Sequence, residues 1–140
     1  MAYDPTLNVQ FDGERKYIHV FNIDNAGDTT TGTTVLDVST FNPNKNGALC
    51  NRISLNKIWY NISPTAVNDG AKLQWENSDG DETFLTLIGY DDYDFSSIGG
   101  LVNPNTGGTA NGDVNFVIPA HTAGDTYSIV TEWIKYYATA

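Results

Sequence analysis

The sequence of 140 residues is short of cysteine and of basic residues, and it contains no long apolar run. The single cysteine, Cys50, excludes an intrachain disulfide and a zinc site that needs several cysteines. No apolar stretch approaches the roughly 20 residues of a membrane-spanning helix. The first ten residues lack the basic and apolar regions of a secretory signal. These absences predict a soluble protein that is not exported by that route and does not have a membrane as its partner.

Seventeen acidic residues stand against seven basic ones, which gives a net charge of −10 and an isoelectric point near 4.2. The phosphate backbone of a nucleic acid would repel such a protein, as would an anionic membrane, so we expect neither as a partner. The imbalance is uneven along the chain. Residues 1–60 carry six acids and five bases, a net charge of −1, whereas residues 61–140 carry eleven acids and two bases, a net charge of −9.

Apolar and polar residues alternate along most of the chain, which is the pattern of half-buried β-strands. Turns rich in Gly, Asn and Asp separate these segments, and none has the sustained period and end signals of a helix. The sequence therefore predicts an all-β, single-domain antiparallel β-sandwich or jelly roll of about eight strands over residues 1–140. The expected strands are 7–11, 15–23, 33–39, 52–62, 71–76, 82–88, 114–118 and 126–137.

A long irregular loop is expected at about 89–112, because this stretch holds six of the thirteen glycines. The strands at 52–62 and 126–137 have apolar residues on both faces, so we expect them in the centre of a sheet or at an interface. At least two of the three tryptophans are expected to be buried, since each lies within a strand in phase with aliphatic residues. The residues expected to share one face of 52–62 are Ile53, Leu55, Lys57 and Trp59.

The residue types that usually carry catalysis are few and isolated. His19 lies within a strand, where a histidine with satisfied hydrogen bonds is expected, and His121 lies in a turn after Pro119. Cys50 has no adjacent base, and neither a Gly-x-Ser-x-Gly motif nor a phosphate-binding glycine loop occurs. The sequence therefore predicts no enzyme, no catalytic residue and no cofactor.

Two acidic segments raise the question of a metal site. Residues 77–82 resemble part of a calcium loop, but their spacing does not match the pattern of acids that an EF-hand requires. Asp91, Asp92 and Asp94 alternate with aromatic residues, an arrangement that can bind sugars or calcium, or can anchor a loop by its rings. We favour an ordinary turn for the first segment and an anchored loop for the second, so no metal site is predicted.

Five pieces of the sequence resemble, in the same order, a family of small virion structural proteins of tailed bacteriophages. They are NVQFDGERKYIHVFNI at 8–23, LNKIWYNI at 55–62, LQWE at 73–76, FSSIGGLVNPN at 95–105 and HTAGDTYSIVTEWIKY at 121–136. The resemblance implies a capsid decoration (cement) protein that binds the outer surface of the head shell and stabilises it. It also implies the major capsid protein or other virion proteins as partners, a homo-oligomer on the particle, and a location on the capsid surface of the virion after assembly in the host cytoplasm.

Two alternatives stay open at this point. A structural protein associated with the neck, tail or fibres of the particle would share nearly all of these features. A carbohydrate-binding module would instead use Trp59, Trp75, Trp133 or the tyrosine-rich segment 90–95 as stacking platforms for sugars.

The charge asymmetry predicts which part of the surface meets the shell or a sister subunit. Burying unpaired carboxylates is costly, so the near-neutral first 60 residues are expected at the contact. The acidic segments 76–82 and 91–94 are expected to face solvent. The basic residues expected at the contact are Arg15, Lys16, Arg52 and Lys57.

Overall fold

The computed structural model describes residues 5–24, 32–63, 70–104, 110–118 and 125–137. Over them the chain forms nine β-strands and two short 3-10 turns, Val38–Thr40 and Ser96–Ile98. No helix in this part of the chain has the length and apolar character needed to cross a membrane. The strands are β1 (Thr6–Asp12), β2 (Lys16–Asp24), β3 (Gly32–Leu36), β4 (Cys50–Ser63), β5 (Ala71–Asn77), β6 (Glu82–Leu87), β7 (Gly89–Asp94), β8 (Ala110–Ile118) and β9 (Thr126–Tyr137).

The strands form two antiparallel sheets. The five-stranded sheet has the order β1-β2-β9-β4-β7, and the four-stranded sheet has the order β3-β8-β5-β6. The long strands β4 and β9 pair along nearly their whole lengths, from Cys50 opposite Tyr137 to Ser63 opposite Thr126. The inner faces of both sheets contribute to one cluster of buried apolar side chains. This arrangement confirms the predicted all-β sandwich, while the extent of a single domain over residues 1–140 stays a prediction.

Alternation places one face of each central strand in the core. On β9 the side chains of Tyr127, Ile129 and Trp133 are fully buried. Phe21 of β2 stacks on Phe116 of β8 at a ring-centroid distance of 5.3 Å, and this contact joins the two sheets. Trp133 and Trp75 are 0% and 3% exposed, so the prediction that at least two tryptophans are buried is confirmed.

The predicted common face of strand 52–62 is wrong beyond its midpoint. Ile53 and Leu55 are buried, but Lys57 is half-buried and Trp59 is 43% exposed. The register of β4 against β9 shifts between Leu55 and Lys57, which is the signature of a β-bulge. One extra residue in a strand moves every later side chain to the opposite face, so the bulge turns Trp59 outward.

The predicted irregular loop at 89–112 is also wrong at both of its ends. Residues 89–94 form β7, which pairs with β4 from Ile62 opposite Gly89 to Lys57 opposite Asp94. β8 already begins at Ala110, and residues 105–109 lie outside the described ranges. The glycines do not prevent these strands, because Gly99 and Gly100 adopt positive φ angles of 83° and 89° in the turn that follows β7.

Candidate interaction surface

β1 forms one edge of the five-stranded sheet and carries three large apolar side chains that are half exposed. Leu7, Val9 and Phe11 are 49%, 50% and 51% exposed. In the described part of the chain, β1 pairs with β2 alone, so its outer row of backbone N–H and C=O groups has no strand partner. Such an edge is a template for pairing with another strand.

The exposure of β1 depends on how far the four-stranded sheet extends across the inner face of the five-stranded sheet. Leu7 and Val9 lie opposite Phe21 and His19 on the inner face of the sheet, and those two β2 residues are buried. Leu7 and Val9 stay exposed because the four-stranded sheet does not cover β1. A register shift between Val9 and Phe11 turns the third side chain to the outer face. Apolar surface is therefore uncovered on both faces of this edge strand.

The charge of β1 is compensated at its end by a buried ion pair. The Lys135 ammonium on β9 has no exposed side-chain surface and contacts the Asp12 carboxylate. Lys135 Nζ also donates to the Asn42 carbonyl at 3.2 Å, and the Asn42 backbone N–H donates to Asp12 Oδ2 at 2.9 Å. Burial, reinforced by the nearby Asp12 charge, raises the pKa of Tyr17 to about 12. Asp12 is the only charged residue of β1, so this pairing leaves the edge without net charge.

The other edge of the same sheet has the opposite character. β7 carries Asp91, Asp92 and Asp94, all exposed. Lys57 Nζ lies 4.0 Å from Asp94 Oδ2 at the end of this strand. Like charges along an edge oppose pairing with another acidic strand. β7 is therefore protected against strand pairing, whereas β1 is not.

The four basic residues expected at the contact are not gathered in one place. Arg15, in the turn between β1 and β2, and Lys16, at the start of β2, are both exposed beside the β1 edge. Arg52 lies on β4, where its guanidinium carbon stands 4.7 Å above the centre of the Tyr136 ring. Lys57 is next to β7 and Asp94. Arg15 and Lys16 thus lie beside β1, whereas β2 and β9 stand between β1 and the β4 residues Arg52 and Lys57.

Hydrogen bonds within the chain hold the acidic turn at 77–82. Residues 77–80 turn the chain between β5 and β6, and the Gly80 N–H donates to the Asn77 carbonyl at 3.2 Å. Asp81 accepts hydrogen bonds from the Asn77 N–H at 3.2 Å and from Asn115 Nδ2 at 2.9 Å. No group of three or more His, Cys, Asp or Glu side chains among the described residues could hold a metal. Independence from metal stays a prediction.

Cys50 and His19, two residues of types that often carry catalysis, are buried. Cys50 is buried, its Sγ donates to the Arg52 carbonyl at 3.2 Å, and burial raises the pKa of its thiol. His19 is 4% exposed, and its Nδ1 has no hydrogen-bond partner among the described residues, so the expected satisfied histidine is wrong in this respect. His121 lies outside the described residues. The absence of an enzymatic role stays a prediction.

His19 makes the stability of the fold depend on pH. Burial lowers the pKa of His19 from 6.5 to about 4, so the unfolded chain binds a proton at a higher pH than the folded protein does. The contribution of His19 to stability is complete above pH 6.5 and falls as the pH is lowered towards 4. We expect a loss of about 3 kcal/mol over this range. Denaturant unfolding at several pH values should show this loss in the parent and not in a His19→Leu variant, and parallel profiles would contradict it.

Comparison with known proteins adds a weak likeness. No protein-family profile and no curated protein sequence matches the chain. Among solved structures, a cupin domain from Bordetella pertussis Tohama I is similar over 94% of this chain and 93% of its own, at 16% identity and a TM-score of 0.36. That score is too low to carry an argument about function.

Proposed function

We propose that the chain is a structural component of a bacteriophage particle, specifically a decoration protein on the outer surface of the head shell that stabilises the shell. The proposal starts from the resemblance of five sequence pieces to small virion proteins. The observation that carries it furthest is the open, uncharged and half-apolar edge strand β1. The partner at this edge would be the major capsid protein or a sister subunit.

The energetics of β1 support a role in assembly. Complete burial of a Leu, Val or Phe side chain contributes about 1.5–3 kcal/mol relative to full exposure. Leu7, Val9 and Phe11 are each half exposed, so covering all three would contribute on the order of 3 kcal/mol before any hydrogen bond of an added strand. An exposed apolar edge is a liability for a free protein, and a partner that covers it removes that liability.

The charge distribution supports one orientation on the particle. Four strand spacings of about 4.8 Å separate β1 from β7 by roughly 19 Å. With β1 against the shell, Asp91, Asp92 and Asp94 face solvent and keep their hydration. Exposed carboxylates on the outside would also keep decorated particles from adhering to one another.

Attachment to the particle is expected to depend on β1. In the double variant Leu7→Lys/Val9→Lys, two charges replace apolar side chains at the proposed contact, and we expect binding to undecorated particles to weaken at least about tenfold. Ile98→Lys is the matched control, because Ile98 is 69% exposed in the 3-10 turn after β7, at the opposite edge of the sheet from β1. Co-sedimentation with particles gives the measurement, and equal melting temperatures confirm that all variants fold. Parental binding by the β1 variant would contradict the proposal.

Charge variants test the orientation in the same assay. Replacing Arg15 and Lys16 by Glu should weaken attachment, since these residues lie beside β1. Replacing Asp91, Asp92 and Asp94 by Asn should leave it nearly unchanged. The reverse pattern would show that the acidic edge meets a basic patch on the shell.

A neck, tail or fibre-associated protein remains the second candidate, because it would use the same kind of edge. The two differ in number of copies, since a decoration protein follows the symmetry of the whole shell and a neck or tail protein is confined to one vertex.

A further inference from the structure

A groove of about 340 Å³ lies on the outer face of the five-stranded sheet, where β9, β4 and β7 meet. In the register of these strands, Trp59 lies between Val130 and Asp92, and Asn61 lies between Ser128 and Tyr90. Because directly paired residues share a face, these six side chains form two adjacent rows across three strands. We call this feature the Trp59 groove. It lies near the edge of the sheet that is opposite to β1.

The aromatic surface of the groove is unusually open. The indole of Trp59 is 43% exposed, and the phenol ring of Tyr90 is 83% exposed. The other two tryptophans are buried, as expected of large apolar side chains in a sandwich core. The β-bulge before Lys57 is the local cause, because it directs Trp59 outward between Val130 and Asp92. β-bulges commonly redirect a side chain for a purpose at the surface.

Polar groups surround the indole. The exposed carboxylate of Asp92 lies directly across from Trp59, and the amide of Asn61 is two residues along the same strand face. Ser128 Oγ donates to Asn22 Oδ1 at 3.2 Å, which orients the hydroxyl on the far side of the groove. Asp91 Oδ1 accepts the backbone N–H of Asp92 at 2.8 Å. The groove thus combines one flat apolar surface with several hydrogen-bonding groups at its rim.

We propose that the Trp59 groove binds a neutral saccharide. A pyranose ring has an apolar face of C–H groups, which would lie against the indole of Trp59. The hydroxyl groups at its edge would donate hydrogen bonds to the Asp92 carboxylate. They would both donate hydrogen bonds to the Asn61 amide and accept hydrogen bonds from it. The volume is near the lower end, about 300 Å³, of pockets that hold small ligands, so one or two sugar rings fit.

The charge and polarity of the groove select against other ligands. Two carboxylates and no basic side chain line it, so phosphate groups, uronic acids and sialic acids would be repelled. A wholly apolar partner surface would leave the Asp92 carboxylate desolvated without compensation. An organic cation would satisfy the indole and the carboxylates, but it would not use the amide and hydroxyl at the other side of the groove. A saccharide uses all of these groups.

Titration of the purified protein tests the proposal without any particle, so its failure and the failure of the decoration role are separate results. The probes are neutral hexasaccharides of glucose, galactose, mannose and N-acetylglucosamine, with a sialylated oligosaccharide and choline as charged comparisons. A change in tryptophan fluorescence on binding reports on Trp59, because Trp75 and Trp133 are buried and out of contact with the ligand. We expect saturable binding of at least one neutral hexasaccharide with a dissociation constant between about 10 μM and 1 mM, and none of the sialylated one.

Substitutions in the Trp59 groove test whether the saccharide binds there. Trp59→Ala should weaken binding at least about tenfold as measured by calorimetry. Asp92→Asn should weaken it less, since the amide oxygen can still accept a hydrogen bond from a sugar hydroxyl. Phe11→Ala is the matched control, because Phe11 is an exposed aromatic residue on the same face of the sheet at the opposite edge, and it should bind as the parent does. Unchanged binding by Trp59→Ala, binding of choline in place of sugars, or no saturation by any neutral hexasaccharide would overturn the proposal.

Discussion

Replacing Asp12 by asparagine is expected to lower the free energy of unfolding by about 3–5 kcal/mol, although Asp12 lies at the end of an edge strand. The variant leaves the Lys135 ammonium in a fully buried position without its carboxylate partner. The Asn42 carbonyl at 3.2 Å remains as an acceptor but carries no charge. Denaturant unfolding at pH 7 measures the loss, which would take a large part of the stability of a domain of this size.

A compensating variant separates charge burial from simple loss of packing. Asp12→Asn combined with Lys135→Met removes both charges and keeps an apolar side chain near the rings of Tyr17 and Phe41. Replacing a buried ion pair by apolar groups is often neutral, so we expect the double variant to regain most of the lost stability. If the free energy of unfolding of Asp12→Asn alone stays within about 1 kcal/mol of the parent's, the Asp12–Lys135 ion pair behaves as a solvent-exposed pair and not as a buried one.

Truncation of Trp133 or Trp75 to alanine is the second large effect, with an expected loss of about 3–5 kcal/mol for each. Trp133 is fully buried, and its Nε1–H donates to Thr131 Oγ1 at 2.7 Å. Trp75 stacks on Phe84 with ring centroids 3.9 Å apart. Each substitution removes a large apolar side chain from the sandwich core and leaves a cavity that the surrounding strands fill only in part. Thermal and denaturant unfolding measure both losses.

Trp59→Ala provides a control of the same chemistry in a different environment. Trp59 is 43% exposed on the outer face, so its truncation leaves no enclosed cavity, and we expect a loss of less than about 1 kcal/mol. Equal losses at Trp59 and Trp133 would mean that the bulge in β4 does not separate the two faces as described.

Strand positions could be predicted from the sequence wherever one face is buried and the other is not. The segment 71–76 shows this directly, because Ala71, Leu73 and Trp75 alternate with polar residues and all three are buried. β7 could not be predicted in this way, since five of its six residues are exposed and its sequence, GYDDYD, contains no aliphatic residue. Its strand conformation comes from pairing with β4, which is a tertiary interaction.

The features that define the two surfaces were harder to predict. Alternation identifies β1 as a strand. It does not indicate that the opposite sheet ends before it covers Leu7 and Val9. Alternation places Trp59 on the same face as Leu55, because a bulge leaves no sign in the spacing of apolar residues. The partner of Lys135 is 123 residues away in sequence, so only the folded chain reveals the pair. The predicted contact role of Arg15 and Lys16 depended on charge alone, and it stays a prediction.

The decoration role that we propose is tested most directly by finding a bacteriophage whose genome carries this sequence and counting copies of the chain in its purified, salt-washed particles. Quantitative mass spectrometry against the major capsid protein gives the ratio. The account predicts a fixed ratio that follows the number of shell subunits, and loss of the chain from particles assembled with the Leu7→Lys/Val9→Lys variant. Absence of the chain from particles, or a copy number that fits a single vertex, would contradict it.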